Sequence, residues 1–306
     1  MAERLAEAAR EGSWRGIIPV VPTPFHRDGE LDLASYGAHV DRLIRAEVDA
    51  VITLGTAGEG PSMTAGEWEQ VVAAAVEASG SRVPVLAGLG GPNEVATVEA
   101  IHRLEQCGLA GFLLTTPSLY PLTREELLAY FQRVAGATRL PVMVYNSTYT
   151  GTPLRPDMLE ELADSLPNFV ALKEGNQAQA SDVIRRLRGR VGVFASRDLH
   201  IQEVLAAGGA GAIAFTANIV PEVVVRLYRC AAAGDLREAR YVQDALNPLA
   251  WAVVSRSFPA GLKAGMDLTG STGGFVRGPL SDFTAEERSK LAELIDHVRV
   301  ALGTPV

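Results

Sequence analysis

Eight short apolar runs recur along this chain, separated by longer stretches in which charges alternate with apolar residues at helical spacing. The runs are "GIIPVVP" (16–22), "AVITLG" (50–55), "PVLAGL" (84–89), "GFLLTT" (111–116), "PVMVYN" (141–146), "FVALKE" (169–174), "VGVFAS" (191–196) and "GAIAFT" (211–216). Such a rhythm predicts strand–helix units. Helices are expected over stretches such as 64–79, 94–106, 123–136 and 177–187. Thr123 with Glu126 three residues on forms a capping box. Eight units in succession predict an α/β fold of the (β/α)8 TIM-barrel type, and continuously apolar strands suit a sheet covered on its outer face. A doubly wound sheet would leave the last units without a place. Beyond residue 220 no strand is evident, and 221–233, 235–247 and 284–302 read as helices. The expected organisation is an N-terminal helical extension (1–14), a barrel (15–220) and a C-terminal helical region (221–306) packed on it.

Composition narrows the class. The chain has 306 residues, 47% of them hydrophobic, and a formal net charge of −8, which argues against nucleic-acid or anionic-membrane surfaces. No segment approaches a membrane span, and "MAERLAEAAREGSWRG" carries too many charges for a signal peptide. A cytoplasmic enzyme is expected. Cys107 and Cys230 lie far apart in helix-like sequence and are expected to be buried free thiols. The five histidines, at 26, 39, 102, 200 and 297, are too scattered for a zinc-type cluster, so neither metal nor cofactor is expected. "GLGG" (88–91) lacks dinucleotide spacing and reads as a strand-to-helix turn.

In a barrel of this kind, chemistry belongs at the carboxyl ends of the strands. Those ends carry "GTAGEG" (55–60), Tyr145-Asn146, Lys173-Glu174 and Ser196-Arg197-Asp198. Lys173 closes an apolar run. By itself it could be a solvated strand end, or an amine nucleophile whose neutral form a desolvated pocket favours. Alternation sets Phe169, Ala171 and Lys173 on one face and Val170 and Leu172 on the other, with Met143 and Tyr145 sharing a face of their strand. Lys173 is thereby expected to point into the barrel mouth. Glu59 and Glu174 are expected to be structural, satisfying loop amides or an arginine. Asn146 is expected to hold a turn, and Tyr145 read alone could be a core tyrosine.

The segments "GTAGEG", "TTP" (115–117), "YNSTYTG" (145–151), "ALKEGN" (171–176) and "GAIAFTAN" (211–218) together resemble the dihydrodipicolinate synthase / N-acetylneuraminate lyase family of class I aldolases, over roughly residues 15–300. The resemblance implies a Schiff base between Lys173 and pyruvate or another 2-oxo acid, proton transfer by Tyr145, and a homo-oligomer (tetramer or dimer). It implies that the loop from Gly55 to Glu59, with Thr56 and Ala57, holds the oxo-acid carboxylate, and that Ile213 lines the substrate site. The chemistry is consistent: a protonated imine withdraws electrons and stabilises an enamine, and no cofactor is required.

Departures from the family pattern bear on substrate. Ala57 stands where synthases carry a second threonine. Leu119, followed by Tyr120, stands where they carry the tyrosine of a relay across subunits. The loop after Tyr145 is shorter and lacks both a proline and the arginine that takes an aldehyde's carboxylate. Arg197 could supply that cation, or pair with Asp198 at the surface; Tyr149 could reach substrate or close the loop. Aldol cleavage or condensation is the expected reaction. A dehydratase of a 3-deoxy-2-oxo sugar acid, a true 4-hydroxy-tetrahydrodipicolinate synthase and a non-catalytic oxo-acid-binding barrel are the alternatives.

Overall fold

A computed structural model describes residues 14–303 apart from Pro92, Ser118 and Thr150. The expected N-terminal helix therefore lies, but for Trp14, outside the described residues. In chain order the strands are β1 (Gly16–Ile17), β2 (Val51–Leu54), β3 (Val85–Leu89), β4 (Gly111–Thr115), β5 (Val142–Asn146), β6 (Phe169–Glu174), β7 (Gly192–Ala195) and β8 (Gly211–Ala212). The α-helices are α1 (Leu33–Arg45), α2 (Ala65–Ser79), α3 (Glu94–Leu104), α4 (Arg124–Gly136), α5 (Pro156–Ser165), α6 (Ala180–Leu187) and α7 (Ile201–Ala206). They continue as α8 (Pro221–Ala232), α9 (Leu236–Val254), α10 (Phe258–Leu268) and α11 (Ala285–Leu302).

All strand pairs are parallel, in the order β1-β8-β7-β6-β5-β4-β3-β2. The ring closes between Val20 and Ile52, where Ile52 N–H donates to Pro19 O at 2.9 Å and Val21 N–H donates to Ile52 O at 2.8 Å. The first run is thus a much shorter strand than 16–22, because Pro19 and Pro22 have no N–H to give a ladder. The interior is filled rather than hollow: Ile52, Leu86, Met143 and Phe194, on the face shared with Tyr145 and Lys173, are fully buried.

One irregularity changes the expected facing. The β5–β6 register runs Val142 to Phe169 but Met143 to Ala171, so Val170 is an extra residue on β6. Phe169 is thereby registered with Val142, on the face opposite Met143 and Tyr145. The alternation expected from "FVALK" holds for Ala171 and Lys173 but not for Phe169, because a bulge resets the pleat.

The capping box at Thr123–Glu126 forms as expected, and others form at Thr64–Glu67 and Thr284–Glu287. Helix α9 runs seven residues past the expected stop at 247, carrying Pro248 inside it. Proline removes one helical hydrogen bond, but Leu249, Ala250 and Val253 beyond it are completely buried, and that packing holds the last turns. Helix α9 packs against α7, α8, α10 and α11, and α10 was not expected from sequence. Both cysteines are free, as expected, but only partly buried.

A buried polar staple ties α1 to the segments that follow β8 and α10. His39 lies 3.0 Å from Ser271 Oγ through Nδ1 and 3.0 Å from Asn218 Oδ1 through Nε2. The Asn218 amide donates to Val20 O and Phe215 O. Its oxygen therefore faces His39, and Nε2 carries the proton. Burial lowers the His39 pKa from 6.5 to about 4, the Asn218 bond only partly opposing it and Arg42 adding to it. The unfolded chain takes up this proton near pH 6.5 and the folded one only near 4, so the stabilisation is present above 6.5 and lost as pH falls toward 4. Relative to His39→Gln, the wild-type protein should lose about 3 kcal/mol between pH 6.5 and 4. Urea denaturation of both proteins across that range checks it; parallel pH profiles would refute the assignment.

Candidate active site

The carboxyl rim of the barrel brings Lys173 and Tyr145 together. They are register partners on β6 and β5, and Lys173 Nζ lies 4.2 Å from the centroid of the Tyr145 ring. Each is half-buried at the end of an otherwise buried strand. The Tyr145 phenol makes hydrogen bonds with Ser196 and Ser147. Burial alone would raise its pKa, but the Lys173 charge, both serine bonds and Arg197 together bring it below the ordinary phenol value. A phenol so placed gives up its proton more readily than a free tyrosine. On the other side of Tyr145, Thr115 is its register partner on β4. The Thr115 and Thr116 hydroxyls are buried without a partner among the described residues.

After β2 the chain turns sharply through Leu54 and Gly55, at φ 65° and 35°, and Glu59 at φ 55°. At Gly58 a Cβ would come within 2.1 Å of Leu54 O, so this turn admits only glycine there. Gly60 N–H donates to Gly55 O at 3.1 Å and Glu59 N–H to Thr56 O at 3.2 Å, while the N–H groups of Thr56, Ala57 and Gly58 meet no acceptor among the described residues. Unclaimed amides in one tight turn are suited to an anion. The Thr56 side chain is exposed and that of Ala57 is buried, so only the former offers a hydroxyl.

The remaining expected residues divide. Arg197 does not pair with Asp198. Its guanidinium lies 4.6 Å over the Tyr149 ring and donates to Thr148 Oγ1 at 3.3 Å, while its Nε is buried without a partner among the described residues. Asp198 is fully buried, accepting from Phe215 N–H at 3.0 Å, Thr216 N–H at 2.7 Å and the Thr216 hydroxyl. Burial raises its carboxyl to about 6 against those bonds and the Lys173 charge. Tyr149 is 71% and Tyr120 68% exposed. Ile213 is buried, its N–H donating to Ala195 O at 2.8 Å.

Both glutamates are structural, with one change of partner. Glu59 pairs with an ammonium, Lys263, rather than a guanidinium. Glu174 accepts from the Asn146 and Gln179 side-chain amides and from Asn176 N–H. Asn146 also spans the turn to Leu154, donating to its carbonyl and accepting from its N–H. Sequence reasoning did not single out Ser147, Thr115 or Lys263. Ser147 and Thr115 sit at strand ends, where the rim argument could have found them, whereas Lys263 carried no such signal.

With this geometry in view, the likenesses to known proteins are specific. The model of the dihydrodipicolinate synthetase family matches residues 13–298. A 4-hydroxy-tetrahydrodipicolinate synthase of Methanoculleus marisnigri is 34% identical over 291 residues, covering 93% of this chain and 99% of the relative. YagE of Escherichia coli, whose name carries a provisional 2-dehydro-3-deoxy-D-gluconate aldolase activity, is 35% identical over 230 residues, covering 73% of this chain and 76% of YagE. The crystal structure of YagE with pyruvate superimposes with a TM-score of 0.89 at 31% identity, covering 94% of this chain and 99% of YagE. A family match over nearly the whole length, on an eight-stranded barrel with its helical extension, makes this chain a lyase of the aldolase type and a member of the dihydrodipicolinate synthetase family.

Proposed function

We propose that this enzyme is a class I lyase in which Lys173 forms a Schiff base with pyruvate or another 2-oxo acid, for aldol cleavage or condensation. The observation that carries the reading is the Lys173 amine lying 4.2 Å over the Tyr145 ring, at the carboxyl rim where the turn after β2 also lies, its amides meeting no acceptor among the described residues. The pyruvate-bound relative YagE supports the choice of oxo acid.

In the cleavage direction the Lys173 amine adds to the 2-oxo carbon and, with a proton from the Tyr145 phenol, expels water, leaving a protonated imine and the Tyr145 phenolate. Tyr145, as phenolate, takes the proton of the hydroxyl two carbons from the imine carbon. The bond between the carbons bearing that hydroxyl and the imine's neighbour then breaks. Its electrons pass into the iminium, giving an enamine and a free aldehyde. Protonation of the enamine carbon and addition of water release pyruvate and restore the amine. Ser147 and Ser196 hold the phenol in place and offer its proton a path to water. Thr56 and the amides beside it hold the oxo-acid carboxylate. Thr115 and Arg197, each with a buried polar atom that lacks a partner among the described residues, serve the aldehyde portion. Arg197 donates charge-assisted hydrogen bonds to a hydroxyl there. Exposed Leu119, Tyr120 and Tyr149 on neighbouring rim loops support assembly into a homo-oligomer.

Borohydride reduction in the presence of pyruvate should add one reduced pyruvyl group at Lys173 and nowhere else, read by intact mass and peptide mapping. Labelling that survives Lys173→Ala, or no labelling, refutes the mechanism. Tyr145→Phe keeps the ring and loses the proton. Turnover should fall by roughly 10²–10⁴-fold with at most about 1 kcal/mol of stability lost; undiminished turnover would make Tyr145 structural. Condensation of pyruvate with aspartate semialdehyde should be feeble, since the loop "NSTYTG" holds no arginine for the aldehyde's carboxylate. Efficient synthase turnover would show that Arg197 fills that role completely.

A further inference from the structure

The turn that offers its amides is anchored from the far end of the chain. Glu59, the last residue of that turn, forms an ion pair through Oε1 with Lys263 Nζ at 2.5 Å, and both side chains are about 1% exposed. Its other oxygen accepts from the backbone N–H of Arg277 at 3.0 Å. Lys263, on α10, also donates to Phe275 O at 2.6 Å and lies 4.5 Å from the centroid of the Phe25 ring. Arg277 lies over the same ring at 4.2 Å and binds Glu67, Gly29 O and Ser62 O through its guanidinium. The turn is held on its near side as well, where Thr23 donates to Gly58 O at 2.8 Å and Trp68 Nε1 to Gly60 O at 2.8 Å.

A buried ion pair is an inefficient way to stabilise a fold, because desolvating two charges offsets most of their attraction. The net effect at Lys263 shows this: burial lowers its pKa below the ordinary lysine value, although Glu59 pulls it up. What a fixed pair supplies that an apolar contact cannot is direction. Glu59 is a non-glycine residue in the left-handed region, a backbone state that persists only where the surroundings over-determine it. The carboxylate held at two oxygens, by an ammonium and an amide, provides that determination. The amides of Thr56, Ala57 and Gly58 precede it by three residues or fewer.

We propose that Lys263 is a positioning residue for catalysis: acting through Glu59, it holds the Thr56–Gly58 amides in the orientation that binds the oxo-acid carboxylate. The role rests on the Schiff-base reading above, and extends the site to a helix of the C-terminal region. It predicts a loss in oxo-acid affinity separable from both imine chemistry and stability.

The test is the pyruvate concentration giving half-maximal borohydride labelling of Lys173. In the double variant Glu59→Gln/Lys263→Met, which leaves no unpaired buried charge, this concentration should rise about 10–100-fold, the worth of a hydrogen bond to a charged group. The labelling plateau at saturating pyruvate should match the wild type, and the melting temperature should stay close to it. His39→Gln perturbs a different buried polar group and should leave half-saturation unchanged. A folded double variant with wild-type half-saturation overturns the proposal, as does an equal shift in His39→Gln, which would mark a general loosening. If the double variant does not fold, Glu59→Gln alone is read by the same shift. Absence of labelling in the wild-type protein would refute the Schiff-base reading itself and this proposal with it.

Discussion

The chemistry at the rim depends on one extra residue in β6. Without the bulge at Val170, the pairing of Val142 with Phe169 would carry on to set Tyr145 against Leu172. Slipping a strand by one residue exchanges its faces, so the lysine would be directed away from the tyrosine. The register shift between Val142 and Met143 instead sets Tyr145 against Lys173 and Asn146 against Glu174. The first pair is the couple proposed to react, and the second joins the hydrogen-bond network around Glu174. Bulges recur beside active sites because they re-aim a side chain without disturbing the rest of the sheet.

Around that couple the protein arranges polar groups with two different degrees of satisfaction. Asp198, Glu174, Asn146 and Glu59 are buried and fully engaged with backbone or side-chain partners, and they fix the loops. Thr115, Thr116 and Arg197 Nε are buried and unengaged among the described residues. Buried polar atoms are ordinarily paired; these three lie at or just beyond strand ends on the rim and are open to a bound molecule, whereas the Tyr36 hydroxyl, likewise unengaged among the described residues, lies on α1. Fixed loops and unengaged donors occur together on this rim, a division of labour that suits the proposed imine chemistry.

Electrostatics then tune the phenol. Burial would make Tyr145 a poorer acid, yet Lys173, two serine hydroxyls and Arg197 reverse that tendency. The same ammonium opposes the desolvation of Asp198. Lys173 thus influences both ionisable neighbours, and the protonated imine proposed at this residue would keep the positive charge they experience.

The sequence by itself determined the barrel, because strand and helix periodicities are local and eight repeats leave few ways to bury both faces of a parallel sheet. It also put Lys173 and Tyr145 at the rim, and the resemblance of "YNSTYTG" and "ALKEGN" to the class I aldolases implied their roles. Glu174 and Asn146, next to them at the strand ends, were legible as structural. Tertiary structure alone decided the rest. Arg197 and Asp198 are adjacent in sequence, yet one stacks on Tyr149 and the other is buried under the backbone of 215–216. Phe169 lost its predicted face to a bulge that no periodicity announces. Glu59 found its partners on α10 and at Arg277, the latter 218 residues away. Such pairings have no local signature: a lysine reads as solvated until packing buries it against a carboxylate that opposes the loss of its charge.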